Sequence, residues 1–281
     1  MDRQLRRLQL EQLGILKVID AFCRQNGIRY SLYAGTLLGA VRHRGFIPWD
    51  DDLDICMERS QYETFLGLWR EIGPAGYILQ NKDNTPRFTQ SFSKIRKDHT
   101  VFLQEAWEGT AFHTGIFVDV FPIDRLPERP LERMRFRWDC LRYQLYNREF
   151  IPPKGTFVQK AVSRMFLAAV PPGARGGKRT ALLKRITRRG DDKKLDMVAI
   201  ETVGTIRKPL PADMMDSYVE IPFEDAGFMC MAGWDAYLRA KYGDYMTLPP
   251  EAERIWKHHP LLIDFEHDYC QLQKTDADRI P

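Results

Sequence analysis

The chain has 281 residues, 44% of them hydrophobic and 28% charged, with a formal net charge of +4. This is ordinary globular composition: it excludes a disordered or fibrous chain and allows one large domain or a core with an appended subdomain. Five widely spaced cysteines without a CxxC pair favour a reducing compartment and argue against a cysteine-rich zinc site, and no apolar run approaches the roughly 20 residues of a membrane span.

In chain order, residues 2–25 place Leu5, Leu8, Ile15, Leu16, Ile19 and Phe22 near a helical period closed by Asn26–Gly27. Charge alternates with Leu and Ile here, unlike a secretory signal, so the expectation is a cytoplasmic protein. "RYSLYAG" reads as a buried strand entering a turn at Gly35–Thr36, and "TLLGAVRHRG" as a helix stopping at Gly45. "DLDICM" restarts as a strand after Pro48. "SQYETFLGLWREIG" reads as a further helix, with Ser60 as N-cap and Glu63 completing a capping box. "GYILQN", "TQSFSKIRK" and "GIFVDVFPID" follow as strands, and beyond Pro130 the pattern turns mainly helical. Pro152–Pro153 and "PPGARGG" mark a soft boundary near 151, giving a core over 1–150 and a mainly helical region over 151–281 that packs on it. Residues 154–194 hold twelve Lys/Arg and two Asp/Glu, a local +10 that leaves the rest of the chain at −6. Such a block suits an anionic membrane surface or a polyanionic acceptor, and equally a solvated helical face.

The stretch "GFIPWDDDLDI" crowds Asp50, Asp51, Asp52 and Asp54 among core-like residues. Pro48 before it and β-favouring residues after it argue against a helical DDxxD site, and Ile55 stands where a calcium loop of the EF type needs glycine. As a strand, the segment sends Asp52 and Asp54 to one face, about 7 Å apart at Cα, and Leu53 and Ile55 to the other. Two such carboxylates can share divalent ions; unpaired, they raise each other's pKa. Asp119, between Val118 and Val120 in an apolar strand, is a costly carboxylate unless something binds it, and makes a third acid. Gly35 permits close backbone approach, Thr36 offers a hydroxyl, and the N–H groups opening the next helix favour an anion, with Arg42 and His43 two turns on. Lys94 and Arg96 share a strand face and suit either diphosphate oxygens or plain solvation.

Three stretches, "YAGTLLGAVRHRGFIPWDDDLDICMERSQYETF", "GIFVDVFPID" and "YLRAKYGDYMTLPPEAERIWKHH", resemble the successive signatures of the LicD family of cytidine-diphosphate-dependent phosphotransferases, distantly related to fukutin and fukutin-related protein. The resemblance runs from about residue 28 to 260 and is weakest over the basic block. It implies an α+β fold, with a nucleotidyltransferase-like mixed β-sheet core flanked by helices. It also implies dependence on Mg²⁺ or Mn²⁺ and transfer of a phosphorylated alcohol, typically phosphocholine. The donor would be CDP-linked, such as CDP-choline, and the acceptor a hydroxyl of a glycan or its lipid-linked precursor, with release of CMP. Position by position, Asp52 and Asp54 match the metal-binding pair, Asp119 the third acid, and Gly35 and Thr36 the donor-phosphate turn. Which of Asp50, Asp51 or Asp52 is innermost stays open. His258 and His259 fit the family's ending as metal contact, phosphate contact or structural pair.

The mechanism expected is two-metal phosphoryl transfer, with Lys94 and Arg96 helping to fix the donor and Asp119 or His43 taking the acceptor proton. Its rivals are a nucleotidyltransferase using a nucleoside triphosphate, a DxD-type glycosyltransferase, and a non-catalytic membrane-surface adaptor. No nucleic-acid partner is expected. The basic block would let the enzyme meet its acceptor at the inner membrane face.

Overall fold

The structure, a computed structural model, describes residues 2–85, 88, 90–109, 112–148, 157–189, 195–200, 209–258 and 260–269. Helix α1 (Arg3–Gln25) is capped by Asp2, whose carboxylate accepts the Gln4 N–H at 2.9 Å, and its apolar stripe is buried from Leu5 to Phe22. Then come β1 (Ser31–Leu32), α2 (Ala34–His43), β2 (Asp54–Glu58), α3 (Arg59–Ile72), β3 (Tyr77–Gln80), β4 (Ser93–Lys97), β5 (Val101–Leu103) and β6 (Phe117–Arg125). The second half holds α4 (Pro130–Arg148), α5 (Phe157–Ala169), α6 (Pro172–Ile186), β7 (Met197–Val198), β8 (Tyr218–Phe223), β9 (Ala226–Met231), α7 (Trp234–Tyr242) and β10 (Leu262–Asp264).

Six strands make one mixed sheet in the order β1-β2-β6-β4-β3, with β7 added beside the end of β6. β2 and β6 run parallel, so that Asp54 stands opposite Asp119, while β4 runs antiparallel to β6 with Lys94 opposite the same aspartate. Helices α1 and α3 both pack against β6 and bury Phe117, Val118, Val120 and Ile123. The result is an α+β fold with a nucleotidyltransferase-like sheet core flanked by helices.

Several local expectations change. Gly35 and Thr36 sit in the first turn of α2 and not in a turn ahead of it, because the Tyr33 C=O already accepts the Leu37 N–H. β2 begins at Asp54, so Asp52 precedes the strand. Ser60 is no N-cap: α3 starts at Arg59, whose guanidinium is drawn inward by the buried carboxylate of Asp124 at 2.7 and 2.8 Å. Among the described residues, the region after Pro130 also contains four strands. β7 and β10 pair with β6 and β5, and the β8–β9 hairpin packs beside β1, where Ser31 Oγ accepts the Met231 N–H at 2.9 Å. Glu220 and Pro222 on β8 and the solvent-facing side of the hairpin hide its strand pattern in the sequence. The boundary near 151 lies outside the described residues. Cys23, Cys56, Cys140 and Cys230 are buried free thiols, and among the described residues no helix is long and apolar enough to cross a membrane.

Arg59 and Asp124 join α3 to β6 across the interior, with Asp124 only 1% exposed. Asp124→Ala strands a buried guanidinium, which the exposed Glu63 at 3.2 Å does not neutralise as well. The unfolding free energy in a urea titration is expected to fall by about 3–5 kcal/mol.

Candidate active site

Two strands and a helix start converge on the acids. Asp54 opens β2, Asp119 faces it on β6, and the Asp119 N–H donates to the Leu53 C=O at 2.9 Å. The Asp54 N–H donates to Thr36 Oγ1 at 2.8 Å, which ties the first turn of α2 to the strand and leaves the Thr36 hydroxyl proton free for a ligand oxygen. Burial alternates as a strand dictates even ahead of β2: Leu53 and Ile55 are fully buried, whereas Asp52 and Asp54 are partly exposed.

Asp50 and Asp51 are the innermost of the run, at 2% and 0% exposure. Their carbonyls accept the side-chain amides of Gln9 and Gln12, each at 2.9 Å, from the buried face of α1. The Asp50 carboxylate receives Lys257 Nζ at 3.2 Å and lies against Gly35, where a Cβ would come within 2.6 Å of its oxygen. Asp51 accepts the His258 N–H at 3.0 Å and meets His258 Nδ1 at 3.0 Å. The other ring nitrogen of His258 stands 3.9 Å from Asp52. Sequence reasoning singled out His258 but missed its partner Asp51 and missed Lys257, whose only signal was adjacency in "IWKHH". His259 lies outside the described residues.

The electrostatics separate the acids into neutralised and spare. Burial, then the charge of Asp52, pushes Asp50 up to about 7 despite Lys257. Burial also opposes ionisation of Asp51, but its bonds from His258 prevail and hold it below the usual carboxylate range. Burial works to lower His258, yet Asp51 and Asp52 raise it above its ordinary value. Asp119 is raised by burial, against the pull of Lys94, whose ammonium sits 2.5 Å from its carboxylate and 3.4 Å from the centre of the Phe117 ring. Asp54 is raised well above the ordinary value by burial and then by the charges of Asp52, Asp119 and Asp50. The carboxylates of Asp52 and Asp54 accept no hydrogen bond from any described group. Oxygens of Asp50, Asp51 and Asp52 come within 4.8 Å of one another. An all-oxygen donor set carrying excess negative charge fits a hard divalent cation such as Mg²⁺ or Mn²⁺.

The remaining sequence candidates fall in other places. Lys94 and Arg96 do share a face, but Lys94 is occupied by Asp119, and the buried Arg96 donates to Gln80 Oε1 and to the Gly115 C=O, each at 2.5 Å. Arg42 donates to the Tyr245 C=O at 2.9 Å and through Nε to His43 Nε2 at 3.0 Å. Burial and the Arg42 charge lower the His43 pKa, and His43 touches none of the acids among the described residues. A cation the sequence gave no reason to choose, Lys241 on α7, lies 4.8 Å from the Tyr33 ring centre and donates to the Tyr237 hydroxyl at 3.2 Å. Its charge draws the Asp54 pKa down, against the other influences there.

Residues 27–154 match the family described as LicD/FKTN/FKRP, nucleotidyltransferase domain. The chain is 29% identical over 260 residues to the lipopolysaccharide cholinephosphotransferase LicD of Haemophilus influenzae, covering 91% of this chain and 96% of that one. It is also similar to an uncharacterized protein of Rickettsia typhi, 33% identical over 86 residues, and to one of Rickettsia prowazekii, 54% identical over 48 residues. These two matches cover 28% and 17% of each chain, respectively.

Two glycines of α2 should separate chemistry from folding. A Cβ on Gly39 would lie 2.5 Å from the Gly45 C=O, a backbone contact that cannot swing aside. Gly39→Ala is therefore expected to cost about 1–3 kcal/mol of stability in a thermal melt. Gly35→Ala meets only the Asp50 carboxylate; it should melt close to wild type while Mg²⁺ binding, followed by calorimetry, weakens about 10–100-fold.

Proposed function

We propose that the chain, which matches the LicD family over residues 27–154 and is similar along most of its length to the relative named LicD, is a transferase of phosphorus-containing groups that moves phosphocholine, or a close analogue, from a CDP-linked donor to a glycan hydroxyl and releases CMP. The acceptor proposed is lipopolysaccharide or a lipid-linked glycan precursor, after the relative named for that substrate. The observation that carries this reading is the pair of spare carboxylates, Asp52 and Asp54, beside Asp119 at the opening turn of α2.

In this reading Asp52, Asp54 and Asp119 would hold Mg²⁺ or Mn²⁺ as a pair of ions; Asp52 is the one of the three whose oxygens lie within 4.8 Å of those of Asp50 and Asp51, and these two, engaged by Lys257 and His258, would fix the loop behind them. Bound there, the metal would neutralise diphosphate charge and favour ionisation of the acceptor hydroxyl. The Thr36 hydroxyl and the first N–H groups of α2 receive the donor diphosphate. The acceptor oxygen attacks the phosphorus that bears the alcohol, and its new bond forms as the bond to the CMP oxygen breaks. Of the two proton acceptors weighed from sequence, Asp119 stands among the acids and His43 does not, which supports Asp119. Its neighbour Lys94 keeps a nearby positive charge in place as the proton arrives. Contact with an anionic membrane through residues 154–194, and a place at the inner membrane face, belong to the same reading and are supported by the local +10.

Product analysis tests the reaction. CDP-choline with a glycan acceptor should yield CMP only with Mg²⁺ or Mn²⁺, and Asp52→Asn or Asp54→Asn should lower turnover more than about 100-fold with unchanged circular dichroism. Diphosphate released from CTP, without CMP from any CDP-alcohol, would replace this reading by nucleotidyl transfer.

Metal binding and stability should also be linked at Lys94. Lys94→Met removes the ion-pair partner of buried Asp119 and is expected to cost about 3–5 kcal/mol in EDTA. Added Mg²⁺ should restore part of that loss as a rise in melting temperature larger than wild type shows.

A further inference from the structure

Helix α4 has two apolar faces. Phe136, Cys140, Tyr143 and Tyr146 face inward and share a core with Leu182 and Ile186 of α6. On the other side Leu131, Met134, Trp138 and Leu141 recur at steps of three and four residues, one stripe on a helix, and are 69%, 52%, 51% and 43% exposed. Arginines border the stripe: Arg135 and Arg142 along one side, Arg133 and Arg137 along the other. Arg135 and Arg137 pair with no acid among the described residues. Between α4 and α6 the border opens into a cleft of about 520 Å³ lined by four arginines, Trp138, Phe136 and the acids Glu132 and Asp139; Asp139 pairs with Arg142 at 3.8 Å and with Arg185, which leaves Arg135 as the α4 arginine of the cleft without an acidic partner among the described residues.

We propose that this face of α4 is a membrane-seating surface, which lies on an anionic lipid bilayer with the Leu131–Leu141 stripe in the interface and the flanking arginines on lipid headgroups. The charge pattern selects this occupant. A two-fold contact with a second copy would bring arginine borders together, whereas acidic headgroups complement them. Trp138 at the centre, with an apolar body and a polar N–H, suits the bilayer interface. A stripe of four side chains on a helix otherwise rich in charge lies on a membrane and does not span it.

The placement also relates the face to the acids. α4 begins just after β6, past the end distant from Asp119, and at its other end the Asn147 C=O accepts Lys82 Nζ at 3.3 Å while its side chain reaches Ser91 at 3.5 Å. The helix therefore runs back along the sheet toward the level of Ser93, which pairs with Val120 beside Asp119. This surface goes beyond the transfer reaction and stands or fails without it.

The test is co-sedimentation of the full chain with vesicles of phosphatidylcholine alone and of phosphatidylcholine mixed with phosphatidylglycerol. Binding is expected only to the anionic vesicles and should fall with added salt. Trp138→Ala, and separately Leu131→Gln with Leu141→Gln, should weaken it about tenfold with an unchanged thermal melt. Arg135→Glu with Arg137→Glu should remove the preference for phosphatidylglycerol. CMP release with a soluble glycan acceptor should persist in all of them, which separates failure of this surface from failure of the reaction. Absence of wild-type binding, or binding untouched by these variants, would overturn the proposal. A concentration-dependent dimer that the variants dissolve, seen by analytical ultracentrifugation without vesicle binding, would overturn it in favour of a second copy.

Discussion

The pairing of Asp54 with Asp119 across two parallel strands is the constraint around which the molecule is arranged. Adjacent strands lie about 4.8 Å apart, so backbone hydrogen bonding holds two carboxylates closer than their charges favour. The fold meets this locally and incompletely. Lys94 comes from the far side of β6 to Asp119, Lys257 to Asp50, and His258 to Asp51. Three acids are thus answered by three cationic or hydrogen-bonding groups, and Asp52 and Asp54 are left over. A protein selected only for stability would replace such carboxylates, because burial and then their crowding raise Asp54 well above its ordinary pKa. Their position beside a helix N-terminus is compatible with the proposed metal site.

The placement of the acids was legible where period and composition carry it. The alternation around Leu53 and Ile55, and a lone aspartate between Val118 and Val120, marked the acids because a carboxylate in an apolar strand has few other uses. The long helices α1 and α3 were legible for the same reason. What could not be read was closure between distant segments. Lys257 and His258 reach the acidic loop from some two hundred residues away, and no spacing rule announces that contact. Lys94 looked free to hold a donor phosphate because nothing in "SKIRK" shows that the next strand presents Asp119 opposite it. The capping box at Ser60 failed for a related reason: a buried ion pair at Arg59 set the helix start in place of the local motif. Arg42 and His43 satisfy each other and the chain near Tyr245, a local solution that spacing along a helix cannot reveal.

The same limit explains why α4 hid its outer face. With apolar residues on opposite sides and arginines between them, its sequence has no single amphipathic direction, and only the packing against α6 shows which side is left over. Basic residues at 154–194 drew attention by number, but the unpaired arginines beside exposed apolar side chains lie earlier, on α4 itself.

The two glutamines of α1 have a wider consequence. Gln9 and Gln12 are wholly buried and grip the peptide carbonyls of Asp50 and Asp51 from a helix some forty residues earlier in the chain. The shape of the reactive loop is therefore written partly in the opening turns of the polypeptide. An inherited or engineered change there would reshape the acidic loop while sparing every one of its carboxylates, and grafting this loop onto another scaffold would demand that the leading helix travel with it.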